Sequence, residues 1–117
     1  MRPPVPVLRS FDTRRARDFW IGYLGFEIAW EHRFAPDLPL YMELRRGDCV
    51  VHLSEHHGDG SPGARLRIEV ADIDAFHAAL DPAYRYARPE IEETPWGARE
   101  VRVTDPSGNV LLFWAPA

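Results

Sequence analysis

One order of segments occurs twice in this chain, and the repeat restricts the possible folds more than any other feature. In the first half, Val5 to Arg9 reads as a short strand, with Pro4 and Pro6 suiting an edge or a strand start. Asp12 or Thr13 then stands where a helix cap is needed. Ala16, Phe19, Trp20, Tyr23 and Leu24 recur at three- and four-residue spacing, the single apolar stripe of an amphipathic helix, and Gly25 follows at the position of a terminating glycine. Phe26 to Phe34 predicts a strand and Pro36 to Pro39 a loop. Tyr41 to Arg45 and Cys49 to Ser54 predict a hairpin turning at Arg46-Gly47-Asp48. The glycine-rich run from His56 to Gly63 divides the chain and predicts a connection without structure of its own.

The second half repeats that order. Arg65 to Val70 alternates as a strand, Asp72 or Asp74 caps a short helix carrying Ile73, Phe76, His77 and Leu80, and Pro82 ends it. Tyr84 to Arg88 predicts the next strand, and Thr94 to Trp114 a closing hairpin. In that hairpin Val101 and Val103 alternate with Arg102 and Thr104, and Asp105-Pro106-Ser107-Gly108-Asn109 carries the residues of a tight reversal. Val110 to Trp114 is a continuous apolar run, as found in strands covered on both faces. The expectation is an α+β fold of two tandem βαβββ modules, at about residues 4–56 and 63–116 of a single domain spanning 1–117.

Composition removes several functions. A net charge of −4 argues against nucleic acid as a partner. No apolar run is long enough to cross a membrane, and the start of the chain lacks the apolar segment of a signal peptide, so the expected location is cytoplasmic. Cys49 is the only cysteine, which excludes an internal disulfide and a cysteine-cluster metal site. All fourteen basic residues are Arg, so lysine chemistry is absent. No phosphate loop, dinucleotide fingerprint or zinc spacing occurs. Glu90, Glu92 and Glu93 read as a solvated loop.

Several segments carry a resemblance to a known family. They are Val5-Pro6-Val7-Leu8 with Asp12, Asp18-Phe19-Trp20 through Leu24-Gly25-Phe26, Pro95-Trp96-Gly97-Ala98-Arg99-Glu100, and Asp105-Pro106-Ser107-Gly108-Asn109. In this order they resemble the vicinal oxygen chelate superfamily of glyoxalase and bleomycin resistance proteins, and most closely its bleomycin resistance branch. The resemblance implies that the two modules together form a curled mixed sheet shaped as a cup, and that two chains pair as a homodimer.

Metal-dependent members of that superfamily place His or Glu ligands on inward positions of the first, fourth, fifth and last strands. By resemblance those positions fall on Val5, His52, Arg65 and Leu112, of which only His52 can ligate. A divalent metal needs about three protein donors. No metal, cofactor or catalytic residue is therefore expected. The antibiotic-binding members sandwich a planar ligand between aromatic rings, one of them on the Pro-Trp-Gly turn. Trp96 matches that position, Trp30 or Phe34 would be its partner, and Tyr41, His52 and Arg99 complete the candidate ligand-binding set. Asp37, Glu43, Glu90, Glu92 and Glu93 are the candidate carboxylates for a cationic drug, whereas Arg65, Arg88 and Arg99, if inward, would favour an anionic or carbonyl-bearing one. The implied function is metal-free binding and sequestration of a bleomycin-like small molecule. The alternatives are a metal-dependent lyase, isomerase or dioxygenase of the superfamily, or an accessory carrier of a biosynthetic intermediate.

Overall fold

The computed structural model describes residues 1–117 as two four-stranded mixed sheets, each formed from one half of the chain. The first half supplies β1 (Val7–Arg9), helix α1 (Thr13–Arg17), β2 (Glu27–His32), β3 (Tyr41–Arg46) and β4 (Cys49–Ser54). The second supplies β5 (Arg65–Glu69), α2 (Ile73–Ala78), β6 (Ile91–Glu93), β7 (Ala98–Thr104) and β8 (Val110–Pro116). The strand orders, β1-β4-β3-β2 and β5-β8-β7-β6, are the same arrangement twice. In each sheet the first strand pairs parallel with the last, and the remaining pairs are antiparallel.

The helix starts are set by side chains. Asp12 accepts a hydrogen bond from the Arg15 N–H at 3.0 Å, and Asp72 from that of Ala75 at 3.0 Å, so Asp12 and Asp72 are the caps. α1 then widens into a π-helical turn over Asp18–Tyr23, marked by the Leu24 N–H donating to the Phe19 carbonyl five residues back. The wider turn buries Phe19, Trp20 and Tyr23 together. Gly25 then reverses the chain with φ +78°, a left-handed conformation that a residue with a Cβ rarely adopts.

Both modules bury their helix-facing sides in one core. Leu8, Met42, Leu44, Val51 and Leu53 of the first sheet join Val101, Val103, Leu111 and Phe113 of the second, with Phe19, Trp20, Ile73 and Phe76 from the helices, in one cluster of 19 buried residues. Full burial of each large side chain contributes about 1.5–3 kcal/mol. The Trp20 indole N–H reaches Asp105 at 3.4 Å, Asn109 donates to the Arg9 carbonyl at 2.9 Å, and the Arg46 guanidinium lies over the Phe76 ring at 5.3 Å, so the modules are joined by polar as well as apolar contacts.

Three segments depart from expectation. Tyr84–Arg88 is not a strand but an irregular segment with a turn at 85–86, because Tyr84 stacks on Tyr23 at 4.5 Å, Arg88 turns back to the Tyr84 carbonyl, and His77 holds the Pro89 carbonyl. The missing strand is β6, inside the acidic run read as a loop. The connection after β4 is also built in: Asp59 accepts from the Ser54 hydroxyl at 2.9 Å, and a Cβ on Gly60 would stand 2.6 Å from the Val7 carbonyl oxygen. The third concerns β8, whose apolar run is covered on one face only. Leu111, Phe113 and Ala115 are buried, while Val110, Leu112 and Trp114 remain half-exposed. In both sheets the face away from the helices is open.

Candidate functional site

The open face of the first sheet carries the polar and aromatic residues that the fold does not need for its core. Strand alternation would put Ile28 and Trp30 on the same side. A register shift between them breaks the alternation, so that Ile28 opposes Leu44 on the core side and Trp30 opposes Glu43 on the open side. Tyr41, Glu43 and Arg45 alternate onto this face from β3, and His52 from β4, directly across from Glu43. The Trp30 ring stacks on Tyr41 at 5.8 Å with the planes 9° apart, and meets His52 edge-on at 5.3 Å. Trp30 itself is 44% exposed.

Beneath these rings runs a hydrogen-bonded chain. Arg45 Nε donates to Glu43 Oε2 at 2.7 Å, Glu43 Oε1 lies 3.0 Å from His52 Nε2, and His52 Nδ1 lies 2.6 Å from the Tyr41 hydroxyl. The bonds from His52 and Arg45 hold the Glu43 carboxyl below the usual carboxylate range. Burial, helped by the nearby Asp59 and Glu43 charges, pushes the Tyr41 phenol up. Beside this chain a shallow depression of about 320 Å³ is lined by Trp30, His32, Phe34, Tyr41, His56 and Asp59. Phe34 forms its rim, edge-on to His32 at 4.6 Å and 76% exposed.

The remaining expected site residues lie elsewhere. Trp96 is on the turn between β6 and β7, 69% exposed, and pairs with no aromatic ring of its own chain. Arg99 lies on the helix side of its sheet, opposite buried Ala115, where Asp74 of α2 holds it at 2.8 and 3.1 Å. It cannot meet a ligand on the open face. The carboxylate of Glu43 is likewise engaged within the protein by Arg45 and His52. His32, Arg45, His56 and Asp59 are polar residues at this face that the expected ligand-binding set left out. Arg45 was legible as the i+2 neighbour of Glu43 on a strand, whereas Asp59 sat in a loop with no periodicity to place it.

The donor set does not fit a metal. The residue opposite His52 in β1 is Val7, not Val5, which precedes the strand and is 41% exposed. Arg67, not Arg65, faces Leu112. The two central cross-strand pairs therefore offer one donor residue, His52, both of whose ring nitrogens are already hydrogen-bonded. Nowhere do three His, Cys, Asp or Glu side chains gather as a metal site requires. A larger groove of about 590 Å³ between the modules, floored by Phe26, Phe76 and Phe113, lacks any comparable polar chain.

Fold and site together define a two-module, open-sheet protein with an aromatic and polar concave face. The chain belongs to the glyoxalase superfamily, whose family model matches residues 2–115. Among solved structures it is similar to TnmS3, an antibiotic-binding protein from Streptomyces sp. CB03234, at 21% identity and TM-score 0.74, covering 100% of this chain and 98% of that one. It is similar to a bleomycin-binding protein in complex with bleomycin at 21% identity and TM-score 0.72, covering 100% of both chains. TioX from Micromonospora sp. ML1 aligns at 19% identity and TM-score 0.73, over 99% of this chain and 100% of that one. At these identities the likeness is one of fold. No protein of curated function matches the sequence.

Proposed function

We propose that the chain is a metal-free binder that sequesters a planar, bleomycin-like small molecule against the open face of its first sheet. The observation that carries this reading is the Trp30–Tyr41–His52–Glu43 cluster, an exposed aromatic platform whose polar groups are oriented by one another. Such an arrangement binds by stacking and directed hydrogen bonds. The bleomycin-binding and antibiotic-binding relatives share the fold over their whole length, which supports the same use here. No helix is long and apolar enough to cross a membrane.

The reading includes a homodimer. A monomeric protein of 13.4 kDa exposes about 6,500 Å². This chain exposes 7433 Å², an excess of roughly the 800 Å² that one partner buries in a standard interface. Part of the excess belongs to the extended residues 1–6, and much of the rest to the two open sheet faces. Trp96, without an aromatic neighbour in its own chain, is placed by this reading against the Trp30 or Phe34 of the partner chain, closing a sandwich that one chain alone does not form.

The test is a titration of tryptophan fluorescence with metal-free bleomycin, on protein shown by elemental analysis to carry no transition metal. Saturable quenching that weakens in Trp96→Ala is expected. No response, together with near-stoichiometric metal in the purified protein, would overturn the reading.

A further inference from the structure

The chain from Arg45 to Tyr41 also fixes a direction, and the direction selects a ligand. Glu43 is a carboxylate that accepts from Arg45, so it has no proton to offer His52. The His52 nitrogen facing it, Nε2, must therefore carry the hydrogen. A neutral imidazole has a single N–H, which leaves Nδ1 with a lone pair. At 2.6 Å from that lone pair, Tyr41 has to be the donor, and its hydroxyl proton points inward. What Tyr41 has left for the depression in front of it is an oxygen acceptor. The depression is otherwise lined by Trp30, Phe34, the imidazoles of His32 and His56, and one carboxylate, Asp59; no arginine lines it, and the Arg45 guanidinium on the same sheet face is bonded to Glu43.

We propose that His52 is a positioning residue that turns the Tyr41 hydroxyl into an obligate acceptor, so that this site takes planar ligands bearing an N–H donor, above all a protonated amine. The proposal rests on the binding reading above and adds to it the polarity of the ligand. It also assigns the expected polar contact to Tyr41, because both ring nitrogens of His52 are engaged within the protein.

Two measurements test it. The ¹⁵N spectrum of the His52 imidazole at neutral pH reports the tautomer without any ligand. The Nε2–H form is expected, and an Nδ1–H form or an imidazolium would overturn the proposal, since either makes Tyr41 free to donate. The second measurement compares 2-naphthylmethylammonium with 2-naphthoate, which share one ring system and differ in head group, by chemical-shift titration against wild-type protein and Tyr41→Phe. The ammonium is expected to bind at least tenfold more tightly to wild type, and the preference to fall to threefold or less in Tyr41→Phe, which keeps the ring and loses the oxygen. His52→Gln, which has no fixed tautomer, is expected to reduce the preference without removing ring binding. Equal binding of the two probes, or preference for the naphthoate, overturns the polarity while leaving the aromatic platform in place. Failure of both naphthyl probes and of metal-free bleomycin to bind overturns the sequestration reading and the proposal with it.

Discussion

The two modules have the same strand order, yet they place their buried polar groups differently. In the first, Glu43 faces His52 across β3 and β4, and the hydrogen-bonded chain lies on the open sheet face. The equivalent pair in the second is Arg102 opposite Leu112, and that face carries Val110, Leu112 and Trp114 with Arg67 over the Trp114 ring at 5.3 Å. The second module's buried polar network is instead in the β7–β8 turn. There Asp105 accepts from Ser107 N, from Asn109 N and Nδ2, and from the Trp20 indole. The same fold thus keeps one network where a ligand can reach it and uses the other to lock turn, helix and first strand together. Repetition of a fold does not repeat its chemistry.

Breaking the structural network should have the largest effect. Asp105→Ala strands four donors in a buried turn, and an unsatisfied buried group costs about 1–3 kcal/mol. Water entering the vacated space recovers some of this, so a loss of about 3–4 kcal/mol is expected. Urea unfolding measures it. Glu43→Gln, in the network on the open face, should cost much less stability and mainly weaken ligand binding. If the two variants lose equal stability, the division between a structural and a functional network fails.

The two carboxylates should also differ in sign as pH changes. Burial raises the Asp105 pKa despite its hydrogen bonds, so the folded state holds this proton more tightly than the unfolded state. Its contribution to stability is complete below the unfolded carboxylate value of about 3.9 and is lost as pH rises through the folded value. Glu43 is lowered by its bonds to His52 and Arg45, so its contribution is present above the unfolded value of about 4.3 and is lost as pH falls through the folded one. Unfolding titrations in acid should therefore show a downward slope with rising pH that Asp105→Asn removes, and an upward slope that Glu43→Gln removes. Slopes of one sign at both positions would contradict the assignment.

Much of this was legible in the sequence because period and turn chemistry are local. The two-module repeat, Gly25 and the Asp105–Asn109 turn follow from spacing alone, and spacing narrows each helix cap to two residues. Trp30, Tyr41 and His52 were named as a site, and the structure brings them together. Trp96 and Arg99 could not be placed as surely, since their surroundings depend on long-range packing: one is exposed and pairs with no ring of its own chain, and the other is held by Asp74, 25 residues away. The bulge beside Trp30 has no signature in Glu27 to His32. Tyr84 to Arg88 has strand-like alternation, and it is overridden by the tyrosine stack on the π-helical turn.

Ligand affinity gives the next largest effects and sharpens the contrast between the open faces. Removal of a stacking ring loses about 0.5–1.5 kcal/mol beyond its buried area, so Trp30→Ala and Trp96→Ala should each weaken metal-free bleomycin about tenfold or more. Mixing the two variants refines the test. If the sandwich is built across two chains, a heterodimer of Trp30→Ala with Trp96→Ala keeps one intact site in two, and its titration should show one tight and one weak class. A sandwich closed within each chain would leave both sites damaged and a single weak class.

The smallest effect is expected at Arg99, the one candidate that the helix side of the sheet removes from the ligand's reach. Its partner Asp74 is largely exposed, with side-chain exposures of 31% for Arg99 and 66% for Asp74. Screening by solvent leaves such a pair contributing little. Arg99→Ala should therefore barely change the urea midpoint and change bleomycin affinity less than twofold. The contrast with Tyr41→Phe is the informative part, because both substitutions remove one polar group from a β-strand while only one of those groups faces the open side. An affinity loss at Arg99 comparable to that at Tyr41 would mean that ligand reaches the helix side of the second sheet. The separation of a binding face from a structural face, on which the comparison of the modules depends, would then have to be abandoned.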